Sequence, residues 1–183
     1  MKKYFIFLVF AFLATISFSQ DGKSRRPAFH SINTVGLIEG EAGSSFSLLT
    51  INGLQYKSFF AGIGTGLDFY RYRTIPLFIN LRNEFGKTRN KFFVFADAGM
   101  HFYWKKDSDV KYLYAPDSKF HNGFYGAAGA GYKLTFKQRC AFLLSLEYSY
   151  KNLSETGYYS DPLYGQRVDY KLHRLIIKTG IEF

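Results

Sequence analysis

Cysteine is almost absent from this chain. Cys140 stands alone in 183 residues, so no disulfide can form within the chain and a disulfide-stapled scaffold is excluded. Long apolar runs are equally scarce. One covers Tyr4 to Ile16, and no second one follows that could make a membrane-spanning helix. No cysteine follows that run either, which argues against a lipid-anchored lipoprotein. There is no repeat of fixed length and no low-complexity tract. His30, His101, His121 and His173 are scattered, and neither they nor Cys140 show ligand spacing, so neither a metal centre nor any other cofactor is expected. Glycine runs at 62–66 and 126–131 alternate within strand-like segments and open no helix. They therefore fail as phosphate cradles and read as room for inward side chains.

The N-terminus reads as an export address. Lys2 and Lys3 form a basic region, the apolar run follows, and Ser17-Phe18-Ser19 places small residues at both positions of a cleavage site. The run is short for a spanning helix and lacks a basic stop-transfer flank, although an uncleaved anchor is the alternative. Residues 1–19 are therefore expected to be a cleaved signal peptide, 20–28 a short periplasmic tail and 29–183 a single barrel domain. The formal charge is +10, two units of it from Lys2 and Lys3. For an exported chain, that balance fits anionic lipid headgroups rather than nucleic acid.

The segment Arg174–Phe183 carries the most informative pattern. Leu175, Ile177, Thr179, Ile181 and Phe183 fall on one face of a strand. Arg174, Lys178, Gly180 and Glu182 fall on the other with Ile176, because successive side chains point to opposite sides. Strands are marked near 29–42, 45–56, 59–71, 75–86, 91–105, 122–136, 140–152 and 167–183. Each is long enough to cross a bilayer, which takes about 9–11 tilted residues. If the first strand starts in the periplasm, the joins near Lys57-Ser58, Gly86–Asn90 and Lys137–Arg139 are short periplasmic turns. The two long connections, Lys106 to His121 and Leu153 to Gln166, then lie outside. The expected fold is all-β: an eight-stranded antiparallel up-and-down transmembrane β-barrel preceded by a cleaved signal peptide.

The contents of the two faces set the barrel's orientation. One face gathers Leu77, Ile79, Leu81, Val94, Leu144 and Leu146. It is bracketed by Phe85, Phe92, Phe136, Phe142 and Phe183 at one end and by Phe69, Phe102, Trp104, Phe124, Tyr148 and Tyr150 at the other. Two aromatic belts around aliphatics are what two membrane interfaces demand. Eight strands leave an interior only just wide enough for side chains, so this face is expected to meet lipid. The opposite face carries the acids Asp68, Glu84, Asp97, Glu147 and Glu182, balanced by the bases Arg82, Lys133, Lys151, Arg174 and Lys178, among glycines. Buried charges must be paired, so these residues are expected to plug the lumen as an ion-pair network. The first two strands alternate poorly, and their faces are left unassigned.

With the strands placed, the order of segments resembles the small outer-membrane β-barrel proteins of Bacteroidetes-type bacteria. The resembling stretches are Thr50–Gly53, Phe60–Tyr70, Ile75–Phe78, Phe93–Gly99 and Gly180–Phe183. The resemblance implies an integral outer-membrane barrel inserted by the outer-membrane assembly machinery, with Phe183 as the assembly signal. It implies no substrate. In size the chain also looks like the OmpX-type barrels, which raises adhesion or surface interaction by analogy of fold.

Three classes of function remain. The favoured one is a structural or surface-interaction barrel, expected to be monomeric, which meets outer-membrane lipids and surface glycolipid through its outer loops. Lys106, Lys111, Tyr112 and Tyr114 on one loop, with Tyr158, Tyr159 and Tyr164 on the other, are the candidate contacts, since rigid scaffolds concentrate binding residues on loops. A narrow pore for small solutes and a lipid-modifying enzyme are the alternatives. The best catalytic constellation is Asp97 and His101 with Ser145 or Ser149. The first two lie two side-chain pairs apart on one strand face, and a hydrogen-bond network in the lumen is preferred to catalysis.

Overall fold

The computed structural model describes residues 27–86, 88–104, 117–137, 140–158 and 165–183. The described residues form no helix. Their strands are β1 (Ala28–Gly40), β2 (Ser45–Tyr56), β3 (Phe59–Asp68), β4 (Thr74–Phe85), β5 (Lys91–Tyr103), β6 (Asp117–His121), β7 (Gly123–Lys137), β8 (Cys140–Tyr158) and β9 (Gly165–Glu182). Apart from β6, each strand pairs antiparallel with its sequence neighbours, and β9 returns to pair with β1. β6 adds to β8 above β7, with Asn122 alone between β6 and β7. The closed wall is therefore eight-stranded, and β6 prolongs its sixth strand. Phe183 joins the seam: it and Ser31 exchange both backbone hydrogen bonds, at 2.8 and 3.0 Å. Among the described residues, closure pairs each of the eight wall strands on both sides, with only the short β6 left as an edge, the condition a sheet must approach in lipid.

Local chemistry fixes the joins. Lys57 takes a left-handed conformation (φ 57°) in the tight β2–β3 turn, and Gly86 at φ 124° leaves β4 through a conformation that side chains rarely adopt. The β3–β4 ladder lapses between the pairs Thr65–Leu77 and Asp68–Thr74. Pro76 sits in that gap and has no N–H to donate.

The wall rises further than the sequence reading allowed. Residues 117–121, expected in a loop, form β6, while β8 runs on to Tyr158 and β9 begins at Gly165. Tyr158 thus closes a strand and is not a loop residue. Alternation does continue there, with Leu153, Glu155, Tyr170 and Leu172 buried inside. Their outward neighbours Asn152, Arg167, Asp169 and Lys171 are polar, so the apolar signature that marked the earlier strands ends before the strands do.

Register also assigns the faces of β1 and β2. Ile32 lies opposite Ile51, and Thr34 opposite Leu49. Ile32, Leu49 and Ile51 are buried in the lumen with Phe60, Phe78, Phe93, Phe95 and Tyr125. Asn33, Thr50 and Asn52 point outward instead. Polarity is locally inverted on these strands, which is why their alternation misleads.

The lumen glycines make room for inward side chains, as expected, and the side chains they admit include aromatic rings. A Cβ at Gly62, Gly64, Gly129 or Gly131 would collide with the ring of Phe60, Phe78, Phe95 or Phe93 respectively. The glycines make room for inward phenylalanines as well as for charges. At Gly64 the three nearest atoms all belong to the Phe78 ring. Gly64→Ala is therefore expected to cost about 1–3 kcal/mol through overpacking, and Phe78→Leu in the same chain should recover part of it. Urea unfolding in detergent micelles checks this; an equal loss in both backgrounds would contradict it.

Candidate functional site

The ten predicted network residues are all buried inside the barrel, where they sort into three levels. At the end of the short turns, Lys133 of β7 donates to Glu84 of β4 at 2.8 Å and to Glu182 of β9 at 2.5 Å. Lys91 of β5 donates to the other Glu84 oxygen at 2.9 Å. Glu182 also faces His30 Nδ1 at 3.0 Å and Arg82 Nη1 at 3.6 Å. The Arg82 guanidinium lies 4.3 Å from the centre of the Phe93 ring, with Phe60 and Phe95 just beyond. Such stacking suits a planar, weakly hydrated cation.

At the middle level, Asn80 Nδ2 donates to Asp97 at 2.5 Å, and Lys178 pairs with Glu147. The third level closes the far end. Asp68 accepts from Arg174 Nη1 at 2.5 Å, from Lys151 at 3.3 Å and from the Tyr70 N–H at 2.9 Å. Lys151 also donates to the carbonyls of Tyr70 and Tyr72 and to Thr74 Oγ1, at 3.3, 3.2 and 2.8 Å. Arg174 reaches Ser149 Oγ at 2.7 Å. One acid and two bases thus hold the β3–β4 loop against β8 and β9. Above them Tyr70, Tyr72, Leu153, Tyr170 and Leu172 form a second apolar cluster, with Tyr103, Phe120 and Val168 packed against it. Tyr170 donates to Glu155 at 2.9 Å beneath this cap.

The catalytic constellation is not assembled. His101 Nδ1 shares a hydrogen bond with Thr74 Oγ1 at 3.0 Å, the bond of Asp97 goes to Asn80, and that of Ser149 goes to Arg174. Among the described residues no three His, Cys, Asp or Glu side chains lie together as a metal site would require. Of the candidate loop contacts, Lys106, Lys111, Tyr112, Tyr114, Tyr159 and Tyr164 lie outside the described residues. The described rim nonetheless pairs aromatic rings with polar and basic groups. Arg73 stacks over Trp104 at 4.8 Å and Arg71 over Tyr170 at 5.2 Å, while Tyr148 Oη and His173 Nδ1 are 2.5 Å apart.

Sequence reasoning passed over the aromatic half of the lumen. Phe60 shares parity with Asp68, Phe78 with Arg82, and Phe93 and Phe95 with Asp97, so the same alternation that found the charges contained the rings. It also missed Lys91 and His30, which lie on the charged face at the barrel's end.

A closed eight-stranded antiparallel barrel, apolar outside and ion-paired inside, is the fold of the small outer-membrane β-barrels. Solved structures agree. The Neisserial surface protein A has a TM-score of 0.58 at 9% identity, over 86% of this chain and 98% of its own. The outer membrane protein OprG of Pseudomonas aeruginosa has 0.60 at 10%, over 89% and 99%. The outer membrane protein AlkL has 0.59 at 7%, over 90% and 93%. No protein-family model and no curated protein matches the sequence.

The levels differ in how much they should tolerate. Asp68→Asn would leave Lys151 and Arg174 buried without their anion, and a broken buried pair costs about 3–5 kcal/mol. Lys91, whose side chain is 31% exposed, sits at the network's edge, and Lys91→Met should cost about 1 kcal/mol or less. Denaturant titration of the purified barrel checks the ranking, and equal losses would refute it.

Proposed function

We propose that this protein is an integral outer-membrane β-barrel of the Bacteroidetes-type group, with a filled lumen and a surface role carried by its outer rim and loops. The observation that carries this reading is the reversal of ordinary burial. Phe92, Leu37, Ile63 and Phe136 are 63–69% exposed on the outer face, while Arg174, Lys151 and Glu147 are at most 1% exposed inside. A water-soluble barrel would gain by the opposite arrangement, since exposed apolar area is costly in water. Aromatic residues support two interfaces: Phe29, Phe85, Phe92 and Phe183 are exposed at the short-turn end, and Phe46, Phe102, Trp104 and Tyr148 toward the other.

A structural or interaction role is preferred to conduction because ion pairs, phenylalanines and the tyrosine cap occupy the lumen at successive levels. Arg71 stacked on Tyr170 and Arg73 stacked on Trp104 suit the phosphates and sugars of surface glycolipid. The membrane fraction, run on a gel in cold detergent with and without boiling, should show a heat-dependent shift, as a closed barrel stays compact until heated. In planar bilayers the protein should be silent. Arg82→Gln and Glu147→Gln should each lower the unfolding temperature without opening a conductance. A pore in either variant would overturn the filled lumen, as would unchanged stability in both. Lipopolysaccharide should raise the unfolding temperature of the wild type more than that of a variant combining Arg71→Ala and Arg73→Ala; an equal rise would remove the rim assignment.

A further inference from the structure

Between its two aromatic belts the outer face is not uniformly apolar. β4 presents Leu77, Ile79 and Leu81, and β8 presents Leu144 and Leu146, all between 45% and 59% exposed. The sector formed by β1, β2 and β3 differs. Its outward positions at the same height include Asn33, Thr50, Asn52 and Thr65, with Ile63, paired to Asn52, the apolar residue among them. Register makes them continuous: Asn33 lies opposite Thr50, Thr50 opposite Thr65, and Asn52 opposite Ser31. Asn33 stands midway along β1 between Phe29 and Leu37, which are 65% and 69% exposed, so the polar row falls at mid-depth, away from both interfaces. The same sector is hollowed into a groove of about 610 Å³, with Asn33, Thr50 and Thr179 in its lining and Val35, Leu48 and Ile181 beside them.

Lipid tails offer no hydrogen-bond partner at that depth, and an amide or hydroxyl facing them is costly. Among the described residues, Asn33 Nδ2 meets only the Ser31 Oγ, at 3.5 Å, the outer limit of a hydrogen bond. Resting on the reading of the chain as a membrane barrel, we propose that the β1–β3 sector, with the adjoining edge of β9, is the contact face of a homodimer. This replaces the monomer expected from sequence. Two physical arguments select a second copy. Carboxamides and hydroxyls each carry both donor and acceptor, so the row is complementary to itself. All copies are also inserted the same way up, so a twofold axis along the membrane normal brings each row opposite its equal at the same depth. The groove gives the partner's side chains room to enter. Polar groups facing one another between membrane segments are an established glue where the hydrophobic effect gives no preference for association.

The test uses the full chain in native membranes, in a Cys140→Ser background, with single cysteines introduced as Thr50→Cys, as Asn52→Cys, or as Ala128→Cys on the far wall. Heat-dependent gel mobility first shows that each variant is a folded barrel. A membrane-permeable bis-maleimide is then expected to give a band of twice the chain's mass with Thr50→Cys or Asn52→Cys and none with Ala128→Cys. Adding Asn33→Leu to Thr50→Cys should reduce that band at least tenfold. A folded Thr50→Cys and Asn52→Cys pair without the band overturns the dimer while leaving the barrel standing. So does equal crosslinking from the far wall, or a product whose mass marks a different protein. If the heat-dependent shift is itself missing from the membrane fraction, the membrane reading falls and the dimer with it.

Discussion

Asp68 binds Arg174 and Lys151 in a place that only a closed wall can provide. The acid ends β3, the bases belong to β8 and β9, and Lys151 also ties down the backbone carbonyls of the loop that follows Asp68. No two of these three strands are neighbours except β8 and β9, so the cluster spans the bore. Without the seam between β1 and β9 the three charges would not meet. Without the charges meeting, the closed interior would hold ions stripped of water, at several kcal/mol apiece. Closure and pairing therefore stand or fall together.

The same confinement explains the mixture of rings and ions. An eight-stranded wall leaves a bore that side chains must fill completely, and a lumen of charges alone would be hard to pack. Phenylalanine fills volume without needing a partner, and opposite a glycine it can lie against the backbone of the wall. Arg82 takes advantage of this, lying against Phe93 while facing Glu182. The aromatic layer and the charged layers thus stabilise one another, and neither is a lining added to a finished barrel.

Much of this was legible in the sequence. Period-2 alternation located eight strands, and all ten charges assigned to the lumen lie there. Three things were not legible, each for a physical reason. The faces of β1 and β2 were hidden because Asn33, Thr50 and Asn52 point out while Ile32, Leu49 and Ile51 point in, which reverses the rule the other strands obey. The upper ends of β8 and β9 were hidden because their outer side chains turn polar, so strand pairing continues after the apolar signal has stopped. Partner choice was hidden because a pair such as Lys133 with Glu84 depends on register across strands far apart in the chain, and alternation within a strand carries no register.

The seam also sets the order of events in making the protein. Every other junction of the wall joins strands that follow one another along the chain, so it can form as the chain is delivered. The junction of β1 with β9 waits for the segment that ends in Phe183, whose backbone completes it through Ser31. Until then β1 keeps a free edge, with the unpaired donors and acceptors that invite pairing with other chains. The first strand made is thus the one held open longest, and its escape from wrong partners depends on how soon the last strand arrives.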